Sequence, residues 1–248
     1  MTSRILQRPD GHTIAWQGVA GRGPTIVWLG GFKSDMTGTK AAHLAAFAAA
    51  GGRAFVRFDY FGHGASSGAF ADGTVSRWLS DALAVIDALT AGPLVLVGSS
   101  MGGWIATLAA LARPGRVHGL VAIAPALDFT ERLLWAGLDE AARREIMERG
   151  VWMRPSAYGD GPYPIGRALI EDGRRHLLLG GPIPLAVPVR ILHGHADEDV
   201  PWTHGLAFAD ALAGRDVVFS LVKGGDHRLS TPADLARLES AVAELCDG

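Results

Sequence analysis

The chain has 248 residues, of which 48% are hydrophobic and 19% charged, and its formal net charge is −2. That length suits one large α/β domain spanning 1–248, and the absence of any basic or acidic block argues against nucleic acid or an anionic membrane as partner. No apolar run reaches the roughly 18 residues of a membrane span.

Residues 11–19, GHTIAWQGV, alternate enough for an outer strand, and PTIVWLGG at 24–31 reads as a buried strand ending in glycine. TKAAHLAAFAAAGG predicts a helix stopped by glycine. RAFVRFDYFGHG is another strand entering a glycine-rich loop, followed by a helix over Val75 to Leu89. Leu94 to Val97 is short, apolar and β-branched, and a helical run begins near Trp104. VHGLVAIAP, VPVRILHG and DVVFSLVKGG repeat the strand pattern, the last two each followed by a helix. Strands alternating with helices predict an α/β fold, a mostly parallel, doubly wound sheet covered on both faces, which also accounts for the apolar composition.

The rhythm breaks from about Thr130 to Leu185, where no strand is evident. ERLLWAGLDEAARREIMERG reads as one amphipathic helix, VWMRPSAYGDGPYPIG as loop, and RALIEDGRRHLLL as a shorter helix. Open α/β sheets bind ligands beyond the carboxyl ends of their strands, so an insertion there is expected to cap a pocket. Its Trp135, Trp152, Met153, Tyr158, Tyr163 and Ile165 are expected mainly to pack the cap, with a few giving the pocket an apolar wall. Arg143, Arg144, Arg154, Arg174 and Arg175 read as helix-face charges, one of them available to a substrate carboxylate.

Gly98-Ser99-Ser100-Met101-Gly102 fits G-x-S-x-G with Ser100 at the centre; Ser99 does not fit, being flanked at two residues by Val97 and Met101. Between a strand and a helix this pattern is a nucleophile elbow, and the helix N-terminus suits a developing negative charge. A serine hydroxyl needs a base. His227 follows the last predicted strand in a loop, whereas His193 ends a strand and His204 falls in a helix, both structural positions. The acid is expected in the loop after the preceding strand, where HGHADEDVPW offers Asp197, Glu198 and Asp199. Asp197 is preferred, Asp199 is the alternative, and Asp128 after the earlier strand is a third candidate.

LGGF, FDYFGHGASSG, GSSMGG, HGHADEDVP and GGDH, in this order over nearly the whole chain, resemble the α/β-hydrolase family. GGFKSDMTGTKA followed by RFDYFGHGASSG resembles more closely the subgroup of mitochondrial acyl-protein thioesterases and acyl-glucuronide esterases. The resemblance implies an oxyanion hole made by the backbone N–H groups of Phe32 and Met101. Gly30 stands where many members have histidine, a departure that leaves backbone donors intact.

Competing patterns are weaker. His193, His195 and Asp197 approach a zinc signature, but Asp199 stands where the final histidine would be. Gly62 to Gly68 has G-x-G-x-x-x-G spacing, not the dinucleotide fingerprint. A non-catalytic module on this fold and a carbon–carbon bond hydrolase using the same triad are further alternatives. Cys246, the only cysteine, cannot form an internal disulfide, and residues 1–11 lack the apolar core of a signal peptide, so a cytoplasmic setting is expected. The expected function is that of a serine hydrolase cleaving ester or thioester bonds of small acyl substrates through an acyl-enzyme, without cofactor or metal.

Overall fold

The computed structural model describes residues 2–155 and 161–247. In chain order β1 (Arg4–Gln7), β2 (Thr13–Val19) and β3 (Arg22–Leu29) lead into α1 (Thr39–Ala50), then β4 (Arg53–Phe58) into α2 (Val75–Leu89) and β5 (Leu94–Ser99) into α3 (Met101–Ala112). After β6 (Val117–Ile123) come a π-helical turn (Thr130–Trp135), α4 (Glu140–Arg149), β7 (Val151–Arg154), β8 (Tyr163–Gly166) and α5 (Arg167–Gly173). The chain closes with β9 (Val189–Gly194), α6 (Trp202–Ala211), β10 (Val217–Val222) and α7 (Pro232–Asp247).

The main sheet has the order β1-β2-β4-β3-β5-β6-β9-β10. It is parallel except at β2, which runs antiparallel to β1 and β4. Strand periodicity sorts successive side chains to opposite faces. Val27 and Leu29 join α2, α3 and α6 in one apolar core, while Ile26 and Trp28 join α1 and α7 in the other. The residues expected as the outer strand form β2, one position in from the edge. The true edge, β1, escapes sequence reading because Arg4–Gln7 is four residues long and largely exposed.

The insertion differs from expectation in two ways. Its segment 131–150 is not one helix: Asp139 accepts a hydrogen bond from Ala142 N at 2.8 Å and starts α4 afresh after the π turn. Its segment 151–166 contains strands, since β7 and β8 pair as an antiparallel hairpin. Among the described residues of β7 and β8 only Ile165 is fully buried, so no alternation marks them in the sequence. Ile165 packs with Leu134, Ile146 and Ile170 in a small core of the cap's own.

Candidate active site

The parallel strands deliver the site from their carboxyl ends. Between β5 and α3, Ser100 adopts φ 55° and ψ −121°, a left-handed backbone that a non-glycine residue holds only under constraint. Its N–H donates to Ile123 O at 2.8 Å, and its carbonyl accepts from Gly103 N at 2.9 Å and Ala126 N at 3.1 Å. Gly102 is required because a Cβ there would lie 2.1 Å from the Leu29 carbonyl oxygen.

The Ser100 hydroxyl lies 3.1 Å from His227 Nε2, and His227 Nδ1 lies 2.8 Å from Asp197 Oδ2. A carboxylate accepts, so Nδ1 carries the proton and Nε2 turns its lone pair to Ser100. The structure thus brings the three sequence-selected residues into one chain of hydrogen bonds. Asp197 Oδ1 accepts from the backbone N–H of Asp199 at 3.0 Å and of Val200 at 2.8 Å. Its Oδ2 has a second neighbour, His193 Nε2, at 3.3 Å. His193 Nε2 also faces the Val200 carbonyl at 2.9 Å, which fixes that nitrogen as a donor. Burial alone would raise the Asp197 carboxyl, but the hydrogen bonds of His193 and His227 hold it well below the usual carboxylate range. The sequence reading gave His193 a structural place and missed this contact with the acid; the signal was its spacing of four from Asp197 in HGHAD.

Phe32 follows β3, the strand beside β5, and Met101 follows Ser100 as the first residue of α3. Gly31 sits against the nucleophile, a Cβ at that position falling 3.4 Å from Ser100 Cβ. Neither the Phe32 nor the Met101 backbone N–H has a hydrogen-bond partner among the described residues. Unpaired N–H groups are donors of the kind that can meet a developing negative charge.

Comparison with known proteins agrees with this architecture. The family described as "Serine aminopeptidase, S33" matches residues 25–157, a stretch that holds Ser100 but neither Asp197 nor His227. The bovine protein named "Palmitoyl-protein thioesterase ABHD10, mitochondrial" is 40% identical over 98% of this chain and 79% of its own length. This chain belongs to the α/β-hydrolase family. Two solved structures superpose over nearly all of both chains. A putative hydrolase from Agrobacterium vitis S4 has a TM-score of 0.95 at 44% identity, covering 99% of each chain. Alpha/beta hydrolase domain-containing protein 10 from mouse has a TM-score of 0.92 at 38% identity, covering 100% of this chain and 99% of that one. The chain is accordingly a serine hydrolase. The mitochondrial location in the bovine name does not match the cytoplasmic setting expected above, and no helix among the described residues is long and apolar enough to cross a membrane.

In this hydrolase the carboxylate hydrogen-bonded to His227 is that of Asp197. Asp128, fully buried at φ 55°, accepts from Leu178 N and Leu179 N at 2.8 Å each. It ties the Leu178–Leu179 backbone to the loop after β6, and the carboxylate on His227 is that of Asp197, so this third candidate is not the acid bonded to the imidazole. Asp199 contributes its backbone N–H to Asp197. His204 Nε2 donates to Leu127 O at 2.7 Å, the structural role expected of it.

The zinc-type grouping does not assemble. Among the described residues the group able to offer three ligand atoms within 4.8 Å is Asp197, Asp199 and His227. His195 stands apart, stacked on Trp202 with ring centroids 6.3 Å apart. The Asp197 oxygens already face four donors and His227 is engaged on both ring nitrogens, which leaves these two without a spare lone pair for a cation. Exhaustive chelation is therefore expected to leave ester hydrolysis unchanged, and added zinc to give no gain; activity lost to chelator and restored by zinc would overturn the serine reading.

A cavity of about 500 Å³ opens over Ser100. Phe32, Phe129, Leu133 and Leu134 give it an apolar side, the two leucines coming from the π turn, a segment type common at functional sites. Lys33, Lys40 and Arg154 stand on its polar side. Burial pulls the Lys40 ammonium down to about 8, partly offset by Asp226. Of the aromatic cap residues, Tyr163 reaches the cavity and lies under Lys33 Nζ, 4.4 Å from its ring centroid. Ile165, Trp135 and Trp152 pack the cap instead. Met153 is 48% exposed, and Tyr158 lies outside the described residues. Arg143 bonds the Trp135 carbonyl, Arg174 pairs with Glu131, and Arg144 and Arg175 are surface charges. Arg154 is the one arginine of that set placed at the cavity.

Proposed function

We propose that this serine hydrolase is an acyl thioesterase or esterase whose apolar cavity side holds the acyl chain while Ser100 attacks its carbonyl. The unbroken chain of hydrogen bonds from Ser100 Oγ through His227 to Asp197 carries the reading. His227 Nε2 takes the hydroxyl proton as Ser100 Oγ bonds to the acyl carbon, and the charge on the carbonyl oxygen is met by the Phe32 and Met101 N–H groups. Collapse breaks the bond to the leaving sulfur or oxygen, which takes the proton from His227. A water then gives a proton to His227 and attacks the acyl carbon; the bond from that carbon to Oγ breaks, Oγ takes the proton back from His227, and the carboxylic acid leaves with Ser100 restored. Asp197 keeps the imidazole in the tautomer this requires.

The thioester preference rests on relatives named palmitoyl-protein thioesterases, and the place of the acyl chain on the apolar wall of Phe129, Leu133 and Leu134. The substrate is a small acyl ester or thioester, and a reducing compartment is the setting consistent with a lone Cys246. Turnover of S-acyl peptides, acyl-CoAs and p-nitrophenyl esters of matched chain length tests the preference. The expected result is kcat/KM rising with acyl length, by up to about fourfold per added methylene that is fully buried, and thioesters hydrolysed at least as well as esters. Esters cleaved with no measurable thioester hydrolysis at any chain length would remove the thioesterase half of the proposal.

A further inference from the structure

The glycine-rich loop after β4, FDYFGHGASSG, has no part in the mechanism above, yet two of its side chains hold the loop that presents Phe32. Asp59 Oδ1 accepts from Met36 N at 2.6 Å, and its Oδ2 accepts from Ala65 N at 2.9 Å. His63 Nε2 lies 3.2 Å from Lys33 N, and its Nδ1 lies 3.0 Å from the Phe61 carbonyl oxygen. A carbonyl only accepts, so Nδ1 carries the proton and Nε2 accepts the Lys33 N–H. Both partners of the imidazole are thereby used in one neutral tautomer, and burial, which disfavours the charged form, pulls in the same direction. The ring is 4% exposed, with Tyr60, Phe70 and Trp78 set edge-on at centroid distances of 5.8, 5.2 and 5.5 Å. Gly64 allows the close approach: a Cβ there would fall 2.2 Å from Asp59 Oδ2.

The restrained loop is one that would not hold its shape unaided. Lys33 has φ 59°, a conformation that costs roughly 1–3 kcal/mol for a non-glycine residue and persists only where surroundings impose it. The Phe32 N–H lies on the Gly31–Phe32 peptide and the Lys33 N–H on the next one, Phe32–Lys33, so holding the second plane restrains the first through the two backbone dihedrals of Phe32. Ser34 closes the turn by donating its hydroxyl to Gly31 O at 2.8 Å.

We propose that His63 is a positioning residue for the oxyanion hole: by accepting the Lys33 N–H it fixes the Phe32–Lys33 peptide plane and, through the shared Phe32 Cα, restrains the adjoining plane whose Phe32 N–H meets the developing negative charge, with Asp59 holding the far end of the same loop. The inference rests on the assignment of Ser100 as nucleophile and Phe32 as oxyanion donor. His63 does not line the cavity, so its loss acts on the transition state and leaves the substrate contacts in place.

The test compares His63→Asn with His63→Gln in the full chain, measuring kcat and KM on a p-nitrophenyl ester, the rate of fluorophosphonate labelling, and Tm. Asn keeps a donor for Phe61 O but is too short to accept from Lys33; Gln places an acceptor near the Nε2 position. Expected are a loss of roughly 10–100-fold in kcat for Asn, in line with the sensitivity of catalysis to displacements near 1 Å, KM within about threefold, slower labelling by a similar factor, and recovery by Gln to within about threefold of the native enzyme. If His63→Asn does not fold, His63→Phe, which keeps the ring packing and removes both nitrogens, carries the same expectation. A folded Asn or Phe variant with native kcat and labelling rate overturns the inference, as does a change confined to Tm. If the native chain is not labelled at Ser100, the underlying assignment fails and the inference with it; native labelling at Ser100 with an unaffected His63 variant sinks the inference alone.

Discussion

Ser100→Ala abolishes both turnover and covalent labelling by a fluorophosphonate probe, with a fall in kcat on the order of 10⁴ to 10⁶. The size follows from what the residue supplies. Without Oγ no acyl-enzyme forms, and only binding and the oxyanion donors remain to assist direct attack by water. Ser99→Ala is the control, because Ser99 ends β5 and its neighbour alone occupies the strained turn with an imidazole at 3.1 Å. Fold should be retained in Ser100→Ala, since the backbone bonds that set the elbow do not involve the hydroxyl. Mass spectrometry of the labelled peptide checks the assignment. Labelling that survives Ser100→Ala and disappears in Ser99→Ala would shift the nucleophile by one residue.

The second large effect separates three aspartates. Asp197→Asn lowers kcat by roughly 10⁴, the consequence of an orienting carboxylate replaced by an amide that can present a proton to the imidazole and favour the wrong tautomer. Asp199→Asn keeps most of the activity, since the contact Asp199 makes with Asp197 runs through its backbone N–H. Asp128→Asn has a different signature. Its two oxygens accept from Leu178 N and Leu179 N, and an amide nitrogen would face one of those N–H groups. Losing a charged acceptor of that kind costs about 2 kcal/mol, or roughly 4–8 °C in Tm for a chain of this length, with activity per folded molecule within about tenfold. The Asp197 substitution also has a pH signature. A carboxyl held low in the folded state stabilises the fold above its unfolded pKa and loses that contribution as pH falls through the folded value. The stability gap between native enzyme and Asp197→Asn is therefore present at neutral pH and closes only in strong acid. Equal activity in Asp197→Asn and the native enzyme would leave the His227 tautomer to some other group.

The reach of the sequence depended on whether a feature was local. The elbow was legible because G-x-S-x-G sits between a run that can only be a buried strand and a run that can only be a buried helix, and the steric need at Gly98, where a Cβ would fall 2.3 Å from the Gly102 carbonyl oxygen, is set within the motif itself. His227 and Asp197 were legible through topology: each follows a strand, and the parallel order carries all strand ends to one edge of the sheet. The apolar alternation that sends Ile26 and Val27 to opposite cores was likewise written in the chain. What only the tertiary structure decided involves partners far apart in sequence. Asp128 and Asp197 look alike as acids after strands, and the difference is that one meets backbone N–H groups fifty residues away in the cap while the other meets His227. The β7–β8 hairpin exists because it pairs with itself under a cap core whose members come from four separate segments, so no single stretch shows the pattern. His63 and Asp59 read as parts of a tight loop until folding laid residues 31–36 across them. Hydrophobic period and turn sterics are properties of a short stretch of chain, whereas a hydrogen bond between distant loops depends on where the sheet puts both ends, and the sequence carries that only through the fold.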